Sequence, residues 1–197
     1  MQTLQSFIDN YIDFDESEWE ILKQRVVHCS YHKGERIHSV QEGWDALYFV
    51  QSGLVRSYVL HETGKEATRQ FHFNNDKANI LNLFAVDYAS LSQQTPGTIG
   101  FEVLEDCMLI KIDRETIDHL HDISKKWERL SRMLLESAYM EATGFYQSMM
   151  GRSAKENYQY IRENMSYLVD LVPQYHLATY IGITPVSLSR IKQELDT

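Results

Sequence analysis

The side chains with the clearest capacity for chemistry lie between Gln174 and Leu195, in the string QYHLATYIGITPVSLSRIKQEL. Arg190 could donate a fork of hydrogen bonds to O6 and N7 of a guanine, and Val186 could touch a thymine methyl group. The hydroxyl and amide side chains around them suit contacts with phosphates, which position a protein on DNA. The candidate DNA contacts are Gln174, Thr184, Pro185, Val186, Ser187, Ser189 and Arg190. Together they predict a surface that reads double-stranded DNA.

The residues around these candidates predict two short helices that would hold them. Pro173 suits the first turn of a helix, and Gly182 suits the left-handed position at which that helix ends. Thr184 can cap the next helix, with Pro185 at its first position. The inner face would consist of Leu177, Ala178, Ile181, Leu188 and Ile191. This spacing is typical of a helix-turn-helix, and an ordinary corner between two helices is the alternative.

The charge of the chain limits how it can bind nucleic acid. The 197 residues carry a formal net charge of −9, which argues against a protein that coats DNA or RNA. Residues 151–197 hold five basic and five acidic side chains, so the whole negative charge lies in the first 150 residues. Such asymmetry indicates two parts with different roles. A neutral C-terminal part predicts weak non-specific affinity and a need for two half-sites bound by a dimer.

Several other classes of protein are disfavoured. The acidic N-terminal stretch lacks the basic region of a signal peptide, and no apolar run is long enough for a membrane span, so we expect a cytoplasmic protein. Two cysteines are too few for an iron–sulfur site. His28, Cys29 and His32 make only a partial ligand set, so we expect neither metal nor cofactor. His61 and His72 are too few for a cupin-like enzyme, and no nucleophile–base pair stands out, so we expect no enzyme.

The order of elements predicts an α+β chain in three parts. Residues 3–27 have helical spacing, and short strands with frequent turn signals follow over 31–112. Within them, strand pairs would be split at Ser52-Gly53 and at Glu105-Asp106. A capped helix follows Asp113, and a second boundary falls at Gly151. The predicted parts are 1–122, a β-unit with N-terminal helices; 123–150, a long helix; and 151–197, the helix-turn-helix part.

The long helix carries an apolar stripe with two possible uses. The stripe consists of Trp127, Leu130, Leu134, Ala138, Glu141 and Phe145. A stripe of this length is typical of a dimer seam. Packing against the β-unit of the same chain would produce the same period, so spacing alone leaves both open. Gly144 should weaken this helix by about 1 kcal/mol relative to alanine.

At this point the chain resembles the Crp/Fnr family of transcriptional regulators over nearly its whole length. The strings LYFVQSGLVRSY and YIGITPVSLSRI are similar to that family, as are the glycines Gly34, Gly43 and Gly53. The resemblance implies an N-terminal β-roll of the jelly-roll, cyclic-nucleotide-binding type and a dimerisation helix that forms a homodimer. It further implies binding to a DNA operator, with RNA polymerase as a further candidate partner. The short C-terminus resembles the Bacteroidetes-type branch.

The chain departs from the family where cyclic nucleotides bind. Members that bind them use a Gly-Glu pair and an Arg-Ser-like pair, but Gly97-Thr98 stands at the latter position and no Lys or Arg occurs from Asn79 to Glu105. A buried phosphate without a cation is costly. We therefore expect no cyclic AMP or cyclic GMP binding unless Arg56 or Arg69 supplies the charge. The effector, if one exists, is an unknown small molecule.

The DNA-binding part departs as well. Val186 stands where the family usually places an acidic residue, which can accept a hydrogen bond from N4 of a cytosine. The segment ENMSYLVDLVP is too short for the winged hairpin that precedes the helix-turn-helix in the family. The alternative function is therefore a β-roll interaction module with a vestigial DNA-binding part. The sequence gives neither the operator nor the choice between activation and repression.

Overall fold

The computed structural model describes residues 1–195 and has an α+β fold, as the sequence predicts. The strands are β1 (Val27–Tyr31), β2 (Arg36–His38), β3 (Ala46–Leu60), β4 (Glu66–Phe73), β5 (Phe84–Ala85) and β6 (Gly100–Asp113). The helices are α1 (Leu4–Ile8), α2 (Glu16–Lys23), α3 (Ile80–Leu83), α4 (Tyr88–Gln93), α5 (Arg114–Ile123), α6 (Lys125–Met150), α7 (Ala154–Asn164), α8 (Ser166–Leu171), α9 (Gln174–Tyr180) and α10 (Pro185–Leu195). The last two residues of the predicted DNA-binding part lie outside the described residues.

The strands form one antiparallel sheet, which we call the β-roll (residues 27–113). The order along the sheet is β1-β6-β3-β4, with β2 on β6 and β5 on β3. Alternating side chains on the long strands enter two different cores: Phe49 and Ile110 pack with the N-terminal helices, while Val50 and Leu109 pack with Trp44 and its neighbours. This is the two-faced burial that the period of two in a strand requires.

The predicted breaks in the two longest strands are wrong. β3 runs through Ser52-Gly53, β6 runs through Glu105-Asp106, and the two pair along most of their length. The register shifts between Val50 and Leu54, so the turn signals mark irregular pairing rather than hairpins. Gly53 has φ +87°, and a Cβ there would lie 2.3 Å from the carbonyl oxygen of Asp106. Glycine is thus needed for close strand contact.

The N-terminal helices are bound to the start of α6 by an aromatic cluster. Trp127 is buried and stacks on Phe14 with ring centroids 4.0 Å apart, and Trp19 meets Trp127 edge-on at 6.4 Å. Leu130 is buried in the same cluster. Apolar area buried in this way contributes roughly 25 cal/mol per Å². The cluster therefore fixes α6 against the β-roll at its first turns.

The long helix and its end follow the sequence signals. Ser124 caps α6, which continues to Met150 without a break at Gly144. The predicted capping box of Ser153 and Glu156 starts α7, with both reciprocal hydrogen bonds present. In the part of the chain that the structure describes, only helices follow Asp113, and α8 lies in the segment whose length argues against a hairpin.

The C-terminal helices pack directly on the β-roll. Phe71 and Phe73 of β4 share a core with residues of α7 to α10, including Tyr180. The backbone N–H of Thr68 donates to Oγ1 of Thr179 at 3.1 Å, and the hydroxyl of Tyr175 donates to the carbonyl oxygen of Glu66 at 3.1 Å. Helix α9 is therefore fixed to β4, and this contact sets the direction in which α10 faces.

Candidate DNA-reading surface and sensor cavity

The turn between α9 and α10 has the geometry that the sequence predicts. Gly182 is left-handed with φ +75°. The N–H of Ile183 donates to the carbonyl of Ala178 at 3.0 Å, and that of Gly182 donates to Thr179 at 3.2 Å. These two bonds define a Schellman motif, which satisfies the last carbonyls of α9. Thr184 caps α10, since its Oγ1 accepts from the N–H of Ser187 at 3.1 Å.

Close packing inside the turn leaves one face of α10 open to solvent. Ala178 and Leu188 are completely buried between the two helices, and Leu177 is nearly so. All the predicted DNA contacts on the second helix are exposed: Thr184, Pro185, Val186, Ser187, Ser189 and Arg190. Gln174 is exposed at the start of α9. Arg190 has no ion pair with any described residue, whereas Glu194 farther along α10 pairs with Lys155 at 2.9 Å. The guanidinium of Arg190 is therefore available to a ligand.

The stripe predicted as a dimer seam is used within the chain. Trp127 and Leu130 lie in the N-terminal core, and Leu134 and Ala138 pack partly against it. Phe145 stacks on Tyr180 at 5.8 Å. Glu141 is exposed and accepts from Nδ2 of Asn79 at 2.9 Å. These side chains already contact their own chain, so their use in a dimer seam stays a prediction, and another face of α6 is more exposed.

That other face carries a row of exposed apolar side chains, which we call the outer stripe of α6. Its members are Leu135, Tyr139, Tyr146 and Met150, with exposed fractions of 38, 74, 52 and 87%. Single exposed apolar residues are ordinary, but a row along one long helix is typical of a contact surface. Sequence spacing missed this row because it has the same helical period as the predicted stripe.

The loop that would carry the phosphate-binding residues is built around a carboxylate instead. Asp87 is 1% exposed, and its oxygens accept from the N–H groups of Ser90, Thr98 and Ile99 at 3.3, 2.8 and 3.2 Å. Gly97 passes close by, since a Cβ there would lie 3.3 Å from Oδ2 of Asp87. The negative charge of Asp87 repels a phosphate from this position.

Of the two remaining candidate cations, Arg56 is already neutralised. It is 2% exposed and held by Glu66 and Glu102, the latter at 2.7 Å from Nε. Removing such a buried partner is costly, so Arg56 is fixed in place. Arg69 differs: it is exposed and makes no ion pair with a described residue. The sequence offers both arginines as a possible charge for a phosphate, but it does not show which of the two is already paired.

An open cavity of about 800 Å³ lies between the β-roll, the loop of Asp87 and α6. Most of its lining surface is apolar, with Phe84, Leu91 and Leu134 among the residues, and Arg69 is one of its charged residues. His72 forms part of the wall and bonds Ser57 Oγ and the carbonyl of Leu81, each at 3.0 Å. Burial, and secondarily the charge of Arg69, lowers the pKa of His72 to about 3, so the imidazole is neutral.

The chain can now be placed among known proteins. A sequence profile described as "Cyclic nucleotide-binding domain" matches residues 28–124. The fumarate and nitrate reduction regulatory protein of Salmonella typhi is 27% identical over 112 residues, which are 57% of this chain and 40% of that protein. The protein of the same name from Vibrio cholerae is 22% identical over 192 residues, 90% of this chain and 72% of that one. The chain is thus similar to Crp/Fnr regulators along most of its length and contains a domain of the cyclic-nucleotide-binding type.

Solved structures of Crp/Fnr regulators have the same fold. A regulator from Eubacterium rectale superposes with a TM-score of 0.69 at 19% identity, covering 95% of this chain and 88% of that one. FixK2 from Bradyrhizobium japonicum gives 0.64 at 20% identity, covering 87 and 84%. These likenesses confirm the predicted fold class of β-roll plus helices. No helix within residues 1–195 has the length and hydropathy needed to span a bilayer.

The positions of the titratable side chains bear on metal binding. Across residues 1–195, no three His, Cys, Asp or Glu side chains come together in a group that could hold a metal ion. His28 instead contacts Gln51 at 3.3 Å, and His32 lies 3.6 Å from Asp106. The partial ligand set noted in the sequence is thus spread over the outside of the roll.

We expect that neither cyclic AMP nor cyclic GMP binds this chain. Their phosphate would meet the carboxylate of Asp87, and Arg56 is held by two other carboxylates. Arg69 could meet a phosphate, but the ribose and base would then lose hydrogen bonds to water against a mostly apolar cavity surface. Calorimetric titration of the full chain with each nucleotide should give no saturable heat. A micromolar dissociation constant for either one would overturn this prediction.

Proposed function

We propose that this Crp/Fnr chain is a homodimeric regulator that binds a DNA operator through α10. Its β-roll would respond to a signal other than a cyclic nucleotide. The observation that carries the proposal is the open face of α10. There a capped helix presents Arg190, free of any ion pair with the described residues, beside small hydroxyl side chains. We also propose that the protein acts in the cytoplasm and contacts RNA polymerase, because regulation of transcription involves both.

The mechanism begins with α10 in the major groove. The groove is about 12 Å wide and admits one helix, whose N-terminal residues reach base edges. Thr184, Ser187 and Gln174 would contact phosphates, while Arg190 would fork onto a guanine. Val186 is 64% exposed and would lie against a thymine methyl. Two copies would read half-sites about 34 Å apart, one turn of DNA, and this predicts a twofold-symmetric operator.

Dimerisation would use the outer stripe of α6. Two copies of α6, packed in parallel through this stripe, would bury its four exposed apolar side chains and carry both α10 helices on one side. The C-terminal part has no net charge, so a single copy would hold DNA weakly. Binding two half-sites at once compensates, because the second contact becomes intramolecular.

A direct prediction follows for Tyr139, which is 74% exposed. Tyr139→Glu should convert the dimer to a monomer at micromolar concentration, since two buried carboxylates would face each other across the seam. Met108→Glu is the matched control: Met108 is 51% exposed on β6, away from α6, and should leave the dimer intact. Sedimentation velocity measures both. A wild-type chain that stays monomeric, or a Tyr139→Glu dimer, would exclude this interface.

The alternative function is an interaction module whose DNA-binding part is vestigial. It is favoured by the exposed apolar Val186 in the reading face and by the net charge of −9. Selection of binding sites from random duplex DNA separates the two. A regulator should enrich a symmetric sequence with guanine at matching positions of both halves. A vestigial part should enrich nothing above the input pool.

A further inference from the structure

The cavity beside α6 has the size and composition of a small-molecule site. Its volume of about 800 Å³ lies within the range of roughly 300–1,000 Å³ that such sites occupy. One side is made by roll and loop residues such as Val86 and Ile99, and the other by Leu134 and Ala138 of α6. An apolar surface of this extent favours a ligand that is itself largely apolar.

Most charged or titratable side chains on the cavity wall, apart from tyrosines, already have partners within the chain. His72 uses both ring nitrogens, and Asp87 accepts from three backbone N–H groups. Arg114 donates to the carbonyls of Leu91 and Ser92 at 2.5 and 3.1 Å and lies 3.4 Å from Asp118. His121 bonds the hydroxyl of Ser131 at 2.8 Å. A ligand rich in polar groups would therefore find few partners here.

Among the charged residues of the wall, Arg69 is the exception. It lines the cavity from β4, is exposed, and its side chain makes no ion pair or hydrogen bond with any residue from 1 to 195. An uncompensated guanidinium beside an apolar space is complementary to a carboxylate, which it can bind with two parallel hydrogen bonds.

We propose that the cavity binds an amphipathic carboxylate, with its apolar body between the β-roll and α6 and its head group on Arg69. A long-chain monocarboxylic acid fits both features. A nucleotide fits less well: its phosphate could meet Arg69, but its ribose hydroxyls and base edges would be buried against an apolar lining while Asp87 is already engaged.

This ligand class deepens the sensor role proposed above, and its regulatory meaning rests on that role. Helix α6 lines the cavity with Leu134 and Ala138, and Leu135, Tyr139 and Tyr146 of the outer stripe border the same cavity. A ligand that packs against α6 thus acts on the helix through which two copies would meet. Binding itself is measured without DNA, so a failure of operator binding and a failure of ligand binding are separate results.

The test is calorimetric titration of the full chain with dodecanoate, below its micelle concentration, and with dodecanol as the uncharged counterpart. Dodecanoate should bind saturably, one molecule per chain, and about tenfold or more tighter than dodecanol. Arg69→Gln should remove that preference. Arg129→Gln is the matched control, because Arg129 is an exposed arginine on α6 that is not among the cavity residues, and it should keep the preference.

Two further variants locate the site. Ala89→Trp narrows the cavity from α4, where Ala89 is exposed and a larger side chain can be accommodated, and Ala138→Trp narrows it from α6. Both should weaken binding of dodecanoate and dodecanol alike while circular dichroism keeps the wild-type spectrum. The proposal is overturned if dodecanoate does not bind, if it binds no tighter than dodecanol, or if neither tryptophan variant affects it.

Discussion

Replacing Arg190 with alanine should remove specific operator binding while leaving the fold and the dimer unchanged. A bidentate contact to guanine is worth about 1–3 kcal/mol of discrimination. Because a dimer makes the contact in both half-sites, the expected loss is about 2–6 kcal/mol, or roughly 30-fold to more than 10,000-fold in affinity. Fluorescence anisotropy with a selected duplex measures it. The exposed position of Arg190 means that no core contact is lost with it.

Lys192→Ala provides the control on the same helix. Two residues along a helix point to different faces, so Lys192 cannot share the base contact of Arg190. Loss of the Lys192 charge should weaken binding to selected and scrambled duplexes by similar factors, because this charge would not contact base edges. An Arg190→Ala variant that retains the preference for the selected duplex would show that α10 does not read bases through this side chain.

Replacing Trp127 with alanine should have the largest effect on stability. Trp127 is 3% exposed and packs on Phe14 and Trp19, so its removal leaves a cavity among three elements. Such changes typically cost about 3–5 kcal/mol, a large part of the 5–15 kcal/mol that holds a domain folded. Urea unfolding at one fixed protein concentration measures it, since dimerisation makes stability depend on concentration.

The same variant separates the two uses of the apolar stripe on α6. Arg129→Ala, an exposed neighbour, should change the free energy of unfolding by less than about 0.5 kcal/mol. If Trp127→Ala dissociated the dimer without lowering the stability of the single chain, Trp127 would belong to the seam that its spacing first suggested. The contacts of Trp127 within its own chain lead us to expect the opposite.

Features set by a few neighbouring residues were predictable from the sequence. The Gly182 turn, the Thr184 cap and the Ser153–Glu156 capping box each depend on backbone groups no more than six residues apart, and the structure has all three. The exposed face of α10 followed from the same short-range pattern, because burying Leu188 turns its neighbours outward.

Features that depend on distant contacts were not predictable. The two faces of α6 have the same helical period, and only packing against Phe14 and Tyr180 decides which one is inside. In the sequence, Gly53 is typical of a hairpin turn; only its contact with β6 shows that it allows two strands to pack closely. The different states of Arg56 and Arg69 depend on Glu66 and Glu102, which strand pairing brings to only one of them.

Sequence-specific DNA binding by a dimer is the central claim, and one affinity ratio tests it most directly. The full chain should be titrated at physiological salt with its selected duplex and with a scrambled duplex of equal length and composition. Specific binding proteins prefer their site by roughly 1,000-fold or more. We expect a ratio of that order, with two chains bound per selected duplex. A ratio near one, at any stoichiometry, would contradict the account and favour the interaction module.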